Sequence, residues 1–168
     1  LGMWGASYVG YTQWVLAAQA LPVLKAIVPM STSTSFSSLM FPDGAWSDLP
    51  LGFSNAVSLA DKCKWSTIAA IMFVARPKRM ARVLDAAYKY LPAREADMLP
   101  VGKPVPFYRQ WIDHPRPEDP HWKAIDQSTD LPTINTPAHL FTGWYDFCAR
   151  GTFNDYAELK DAGHTPYL

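Results

Sequence analysis

One stretch of this chain has residue types and spacing that could do covalent chemistry: Gly5-Ala6-Ser7-Tyr8-Val9-Gly10. A serine hydroxyl is a poor nucleophile until it is held clear of its own strand, beside a base and beside hydrogen-bond donors for an oxyanion. A strand that ends, turns sharply on one serine and runs straight into a helix supplies that exposure. The turn needs small residues two before the serine and two or three after it. Gly5 and Gly10 meet the need, although Val9 stands where the common G-x-S-x-G form has glycine. A carboxylate follows far downstream. Asp146 ends the loop Gly143-Trp144-Tyr145 after the apolar run 137–142. Serine first and acid second is a known triad order, with each residue on a loop after a strand. An aspartate so placed can equally be a helix N-cap or a turn residue.

These residues need elements to hold them. Tyr11, Thr12, Trp14, Val15, Ala17 and Ala18 predict an apolar, alanine-rich helix lasting to Pro22, as an elbow requires. Residues 23–30 read as a buried strand, which makes strand, helix, strand in about thirty residues, half of a parallel α/β unit. Residues 31–38 form a serine/threonine loop. From 51 to 90 the pattern turns helical: one helix from Ser54 to Val74, with a continuous apolar run at 69–73, then a break at Pro77 and an amphipathic helix over 78–90. Residues 91–106 are proline-rich and irregular, and 107–112 predict a short helix. The α/β character returns near Pro132, with a strand at 137–142, a helix at 151–161 and a further strand beginning at Tyr167. The fold class read from this order is α/β, with parallel-sheet pieces at both ends. Its parts are 1–35 with the elbow, a helical insertion at 36–130, and 131–168 with the acid loop. An insertion there is placed to cover a site built at the carboxyl ends of strands.

Composition removes other classes. The chain has 15 basic and 15 acidic residues and no basic run longer than Arg76-Pro77-Lys78-Arg79, so nucleic-acid binding has no electrostatic support. No apolar run is long enough to span a membrane, and no signal peptide is visible, although the chain opens on Leu1. A cytoplasmic location is the weak default, and oligomeric state stays open. Cys63 and Cys148 are too few and too far apart for a disulfide framework or a metal site. His114 and His121 flank Asp119 at a spacing that fits no standard ligand pattern, so neither metal nor cofactor is expected. Seven tryptophans and eight tyrosines suit either a packed core or a pocket for an organic substrate.

The wording around Ser7 and Asp146 carries a resemblance. Residues 2–14, Gly-Met-Trp-Gly-Ala-Ser-Tyr-Val-Gly-Tyr-Thr-Gln-Trp, resemble the nucleophile motif of the CocE/NonD hydrolases, the cocaine-esterase-like relatives of X-Pro dipeptidyl-peptidases and α-amino-acid ester hydrolases. Thr142-Gly143-Trp144-Tyr145-Asp146, followed by Arg150-Gly151-Thr152, is similar to that family's acid loop. Tyr108-Arg109-Gln110-Trp111 through His114-Pro115 to Asp119, Trp122 and Asp126 resembles the end of its helical cap. The resemblance implies a partial α/β-hydrolase fold and a serine hydrolase acting on small esters, amides or X-Pro peptides through an acyl-enzyme. Ser7 would be the nucleophile, Asp146 the triad acid and the Tyr8 backbone N–H one oxyanion donor. Trp46, Trp111, Trp122 and Phe147 are candidates for the substrate pocket, and Glu118 with Asp119 for a substrate ammonium or plain solvated surface.

The resemblance also implies a tyrosine hydroxyl from a loop well before the elbow and a catalytic histidine after the strand that follows the acid-loop helix. His164 precedes that strand and is one element too early, and His139 alternates within a strand. The expectation is therefore a fragment of a larger hydrolase, inactive alone, with the histidine beyond residue 168. A sheet of two convincing strands with both edges open agrees with that. The alternative is a non-catalytic remnant or interaction protein that keeps the fold without a complete triad.

Overall fold

The computed structural model describes residues 1–62 and 77–168. The apolar run at 69–73, the second half of the helix expected to reach Val74, and Cys63 lie outside the described residues. The chain forms two compact units, Leu1–Leu39 with Pro117–Leu168, and Met40–Arg116.

The first unit is α/β. Strand β1 (Gly2–Ala6) runs into helix α1 (Tyr8–Ala17), and β2 (Ala26–Met30) returns parallel to β1 in the register Gly2↔Ala26 through Ala6↔Met30. Parallel bridges continue the sheet beyond β2. Ile27 pairs with Ala138, Met30 with Phe141, and His139 with Tyr167. Parallel strands require crossovers, and α1 and the last helix supply two of them. Trp14, Ile27, Leu131, Leu140 and Leu159 form the core, each at most 2% exposed. The expected strand at 137–142 is present as this bridged segment, and Tyr167 does begin a further pairing.

A short helix, α2 (Phe36–Met40), ends the serine/threonine loop. The second unit is helical, with α3 (Leu49–Lys62), α4 (Pro77–Tyr88), α5 (Met98–Val101) and α6 (Pro106–Asp113). Pro77 opens α4, because a proline at the first helical position loses no hydrogen bond. Leu51, Ala87, Val101, Val105 and Tyr108 form its core. Inside it the fully buried Asp97 accepts two bonds from Arg109, each 3.0 Å, and one from the Val105 N–H at 2.7 Å. Burying that charge is tolerable because it is paired and its oxygens are satisfied. The last helix, α7 (Ala149–Asp161), belongs to the first unit and packs beside residues 131–133. Among the described residues no helix is long and apolar enough to cross a membrane.

Candidate active site

Ser7 sits between β1 and α1 with φ 57° and ψ −127°. A non-glycine residue held there stores about 1–3 kcal/mol, which persists only where the surroundings over-determine it. Here they do. The Ser7 N–H donates to the Met30 carbonyl at 2.9 Å, and its own carbonyl accepts from the Tyr11 N–H at 2.9 Å. A Cβ on Gly10 would meet the Thr32 Cγ2 at 2.8 Å and the Gly5 carbonyl at 3.0 Å, so helix and strand approach as closely as glycine allows. A Cβ on Gly5 would lie 2.6 Å from the Val9 Cγ1. The valine at the usual glycine position thus fills the room that Gly5 leaves. Ser7 is exposed, and Tyr8 opens α1, at the positive end of the helix dipole.

The elbow is also braced from beneath. Gln13 is fully buried; its Nε2 reaches the carbonyls of Gly5, Val9 and Val28, each at 3.3 Å, and its Oε1 accepts from the Val28 N–H at 3.0 Å. One side chain thereby ties β1, α1 and β2 together behind Ser7.

Asp146 occupies the turn after residues 138–141. Its carboxylate accepts from the Cys148 N–H at 2.9 Å and from the Thr142 Oγ1 at 3.0 Å, and the Ser31 hydroxyl bonds it as well. Burial pushes this carboxyl up; the bonds from Cys148, Ser31 and Thr142 outweigh burial and hold it below its ordinary value. Asp146 is therefore an anion at neutral pH, as a group that steadies an imidazolium must be.

Ser31 joins the two positions. It follows β2, its N–H donates to the Phe141 carbonyl at 2.8 Å, and its φ of 47° turns the chain sharply. Its neighbour Met30 receives the Ser7 N–H, while its own hydroxyl holds Asp146. Ser7, Ser31 and Asp146 thus stand at the carboxyl ends of three adjacent parallel strands, the edge where α/β sheets place their ligands. His164 stands before Tyr167 and so at the opposite, amino end, with Nε2 2.9 Å from the Pro132 carbonyl.

The loop after Ser31 is clamped by α7. A Cβ on Gly151 would touch the Ser33 Cβ at 2.6 Å, and the Thr152 hydroxyl donates to the Thr32 carbonyl at 2.7 Å. The Asp155 carboxyl, 3% exposed, accepts from the Thr34 N–H at 2.9 Å, the Thr34 Oγ1 at 2.6 Å and the Ser33 Oγ at 3.3 Å. Burial raises it to about 7 against those bonds. Cys148 is buried and its thiol is pushed up to about 12, so it offers no thiolate.

The aromatic candidates are dispersed. Phe147 is exposed beside Asp146. Trp122 is 1% exposed beneath Phe36, whose ring packs on Tyr11 at 5.4 Å. Trp46 and Trp111 belong to the second unit, the former against Tyr108 and the latter against Phe53 and Phe107. Glu118 and Asp119 lie on the loop before Trp122, where an Asp119 oxygen caps the His121 N–H at 2.9 Å. Gln13, Ser31 and Asp155 were not singled out in the sequence; a glutamine on the buried face of the predicted first helix was the one available signal.

The profile of the X-Pro dipeptidyl-peptidase (S15) family matches residues 1–168. Cocaine esterase from Rhodococcus sp. (strain MB1 Bresler) is 29% identical over 176 residues, which cover 96% of this chain and 29% of that esterase. The chain therefore spans less than a third of the length of that curated relative. The elbow, the acid loop and the stretch 108–126 had pointed to the same group of hydrolases, and with the profile covering every residue the chain belongs to the X-Pro dipeptidyl-peptidase (S15) family.

Proposed function

We propose that this chain carries the nucleophile and the acid of a serine hydrolase that cleaves ester or amide bonds, X-Pro peptide bonds included, through an acyl-enzyme. The Ser7 Oγ attacks the carbonyl carbon and its proton passes to a histidine. Asp146 orients that imidazole and stabilises its charged form. The Tyr8 backbone N–H donates to the developing oxyanion from the start of α1. Collapse of the tetrahedral species expels the alcohol or amine, which takes the proton from the imidazolium, and water then releases the acyl group by the same steps. The histidine is assigned outside residues 1–168, since His164 stands at the wrong end of the strands. Phe147, exposed beside Asp146, is assigned to acyl selectivity, with Trp122 supporting Phe36 from below.

The observation that carries this reading is the strained, glycine-flanked turn at Ser7, with one strand between it and the strand that leads to an ionised, triply hydrogen-bonded Asp146. Steady-state and burst kinetics with p-nitrophenyl esters and an X-Pro p-nitroanilide test it, at the natural length of the gene product. Ser7→Ala should abolish the burst, and Asp146→Asn should lower kcat by about 10⁴-fold, as loss of a triad acid does. Undiminished turnover in Ser7→Ala would overturn it.

A further inference from the structure

The second unit holds a cavity of about 250 Å³ whose described walls come from residues between 46 and 108. Among the described residues, Trp46, Tyr88, Tyr90 and Tyr108 line it, and the charged residue on its wall is Asp48. The other described lining residues are leucine, alanine and serine.

Two walls are fixed. The Tyr108 ring is 1% exposed and its hydroxyl donates to the Ala93 carbonyl at 2.6 Å. Trp46 stands nearly perpendicular to it, with ring centroids 5.6 Å apart at 73°. The opposite side is half exposed, formed by Tyr88 and Tyr90. Burial first and the Asp48 charge second raise the Tyr88 hydroxyl, so the carboxylate is close enough to resist another negative charge there. Three described cations of this unit are engaged by other carboxylates: Arg109 by Asp97 at 3.0 Å, Lys89 by Asp85 at 2.7 Å and Arg94 by Asp113 at 2.7 Å.

Aromatic faces carry negative electrostatic potential, and a carboxylate at the rim adds to it. An anion is repelled from such a cavity, and a sugar or a neutral amide finds few donors. A methylated ammonium group, apolar on its surface and positive at its centre, matches both the rings and the charge. The volume is several times the roughly 30 Å³ of a water molecule yet smaller than the roughly 300–1,000 Å³ of pockets for drug-sized ligands, which suits a compact head group. We propose that this cavity binds a small organic cation, a tertiary or quaternary ammonium group held by Trp46, Tyr88 and Tyr90, with Tyr108 fixing Trp46 from behind and Asp48 as counter-ion. The site lies wholly within the second unit and does not depend on Ser7 chemistry.

The test compares choline with its uncharged carbon isostere, 3,3-dimethylbutan-1-ol, on the full chain by saturation-transfer NMR and calorimetry. Choline should bind saturably, about tenfold more tightly than the isostere, in keeping with the strength of a partly desolvated cation–π contact. Asp48→Asn and Tyr90→Leu should each weaken choline several-fold and leave the isostere unchanged, with circular dichroism confirming that both variants are folded. Three results would overturn the proposal: equal binding of choline and isostere, which marks an apolar cavity only; no saturation by choline up to roughly 30 mM, beyond which a ligand gains less than about 2 kcal/mol; and choline affinity unchanged in both folded variants.

Discussion

Asp155 should make the stability of this protein depend on pH in a direction opposite to that of most aspartates. Its carboxyl is 3% exposed and is raised from 3.8 to about 7, chiefly by burial. The folded state therefore holds a proton that the unfolded state releases near pH 4. Stability from this group is complete below pH 3.8 and is lost as pH rises through about 7. The shift is about three units, and at about 1.4 kcal/mol per unit the full loss is about 4 kcal/mol. Between pH 4.5 and 8.5 the part that remains to be lost is about 3 kcal/mol. Asp155→Asn keeps the shape and cannot ionise. Its amide oxygen can accept from the Thr34 N–H, and its NH₂ can donate to the Ser33 and Thr34 hydroxyls, which serve as acceptors as readily as donors. Urea unfolding of both proteins across that range isolates the group, because every other titration is shared. Asp155→Asn should gain on the parent by about 3 kcal/mol as pH rises, with unchanged m-values. A difference between the two that stays flat with pH would refute the argument and show that Asp155 remains charged inside the fold.

Other substitutions probe the site from different sides. Ser31→Ala removes one of the bonds that hold Asp146 below its ordinary value, so the Asp146 carboxyl should titrate at higher pH in a carbon-13 NMR titration and the acid limb of kcat/KM should move up with it; Ser31→Thr should restore both. Gln13→Leu leaves the Val28 N–H and the Gly5 carbonyl without their side-chain partner, and should cost about 2–4 kcal/mol in denaturant unfolding, from orphaned buried groups at about 1–3 kcal/mol each. Ser7→Gly relieves the positive φ and should raise stability by about 1 kcal/mol while abolishing acyl-enzyme formation; a destabilised Ser7→Gly would show that the turn is not strained. Gly10→Ala drives a methyl against Thr32 and the Gly5 carbonyl and should lower both stability, by about 1–3 kcal/mol, and the rate of serine labelling.

The parts legible in the sequence were those ruled by short-range sterics. A serine between Gly5 and Gly10 announces its turn because only glycine permits the approaches now seen at 2.6 and 2.8 Å. The strand at β2 and the bridged segment at 138–141 announced themselves as apolar runs between breakers. Pro77, read as the break before a helix at 78–90, is itself the first residue of that helix, α4, where a proline loses no hydrogen bond. The missed residues depend on contacts between distant segments. Ser31 lay in a run of serines and threonines that reads as a loop, and its role comes from Asp146 more than a hundred positions later. Asp155 has the periodicity of an exposed helical acid, and its burial follows from the tight packing of α7 on Ser33, which Gly151 permits. Phe36–Met40 is helical although its serines favour turns, because local propensity there is weak enough for packing to decide.

The central claim is that Ser7 is the nucleophile. Its most direct measurement is intact-mass and peptide mapping after treatment with a fluorophosphonate, on the gene product at its natural length, with Ser7→Ala and Asp146→Asn in parallel. The account predicts one adduct per chain, on the peptide that contains Ser7, absent in Ser7→Ala and formed much more slowly in Asp146→Asn. An adduct on another residue, or a folded protein whose Ser7 stays unmodified, would contradict it.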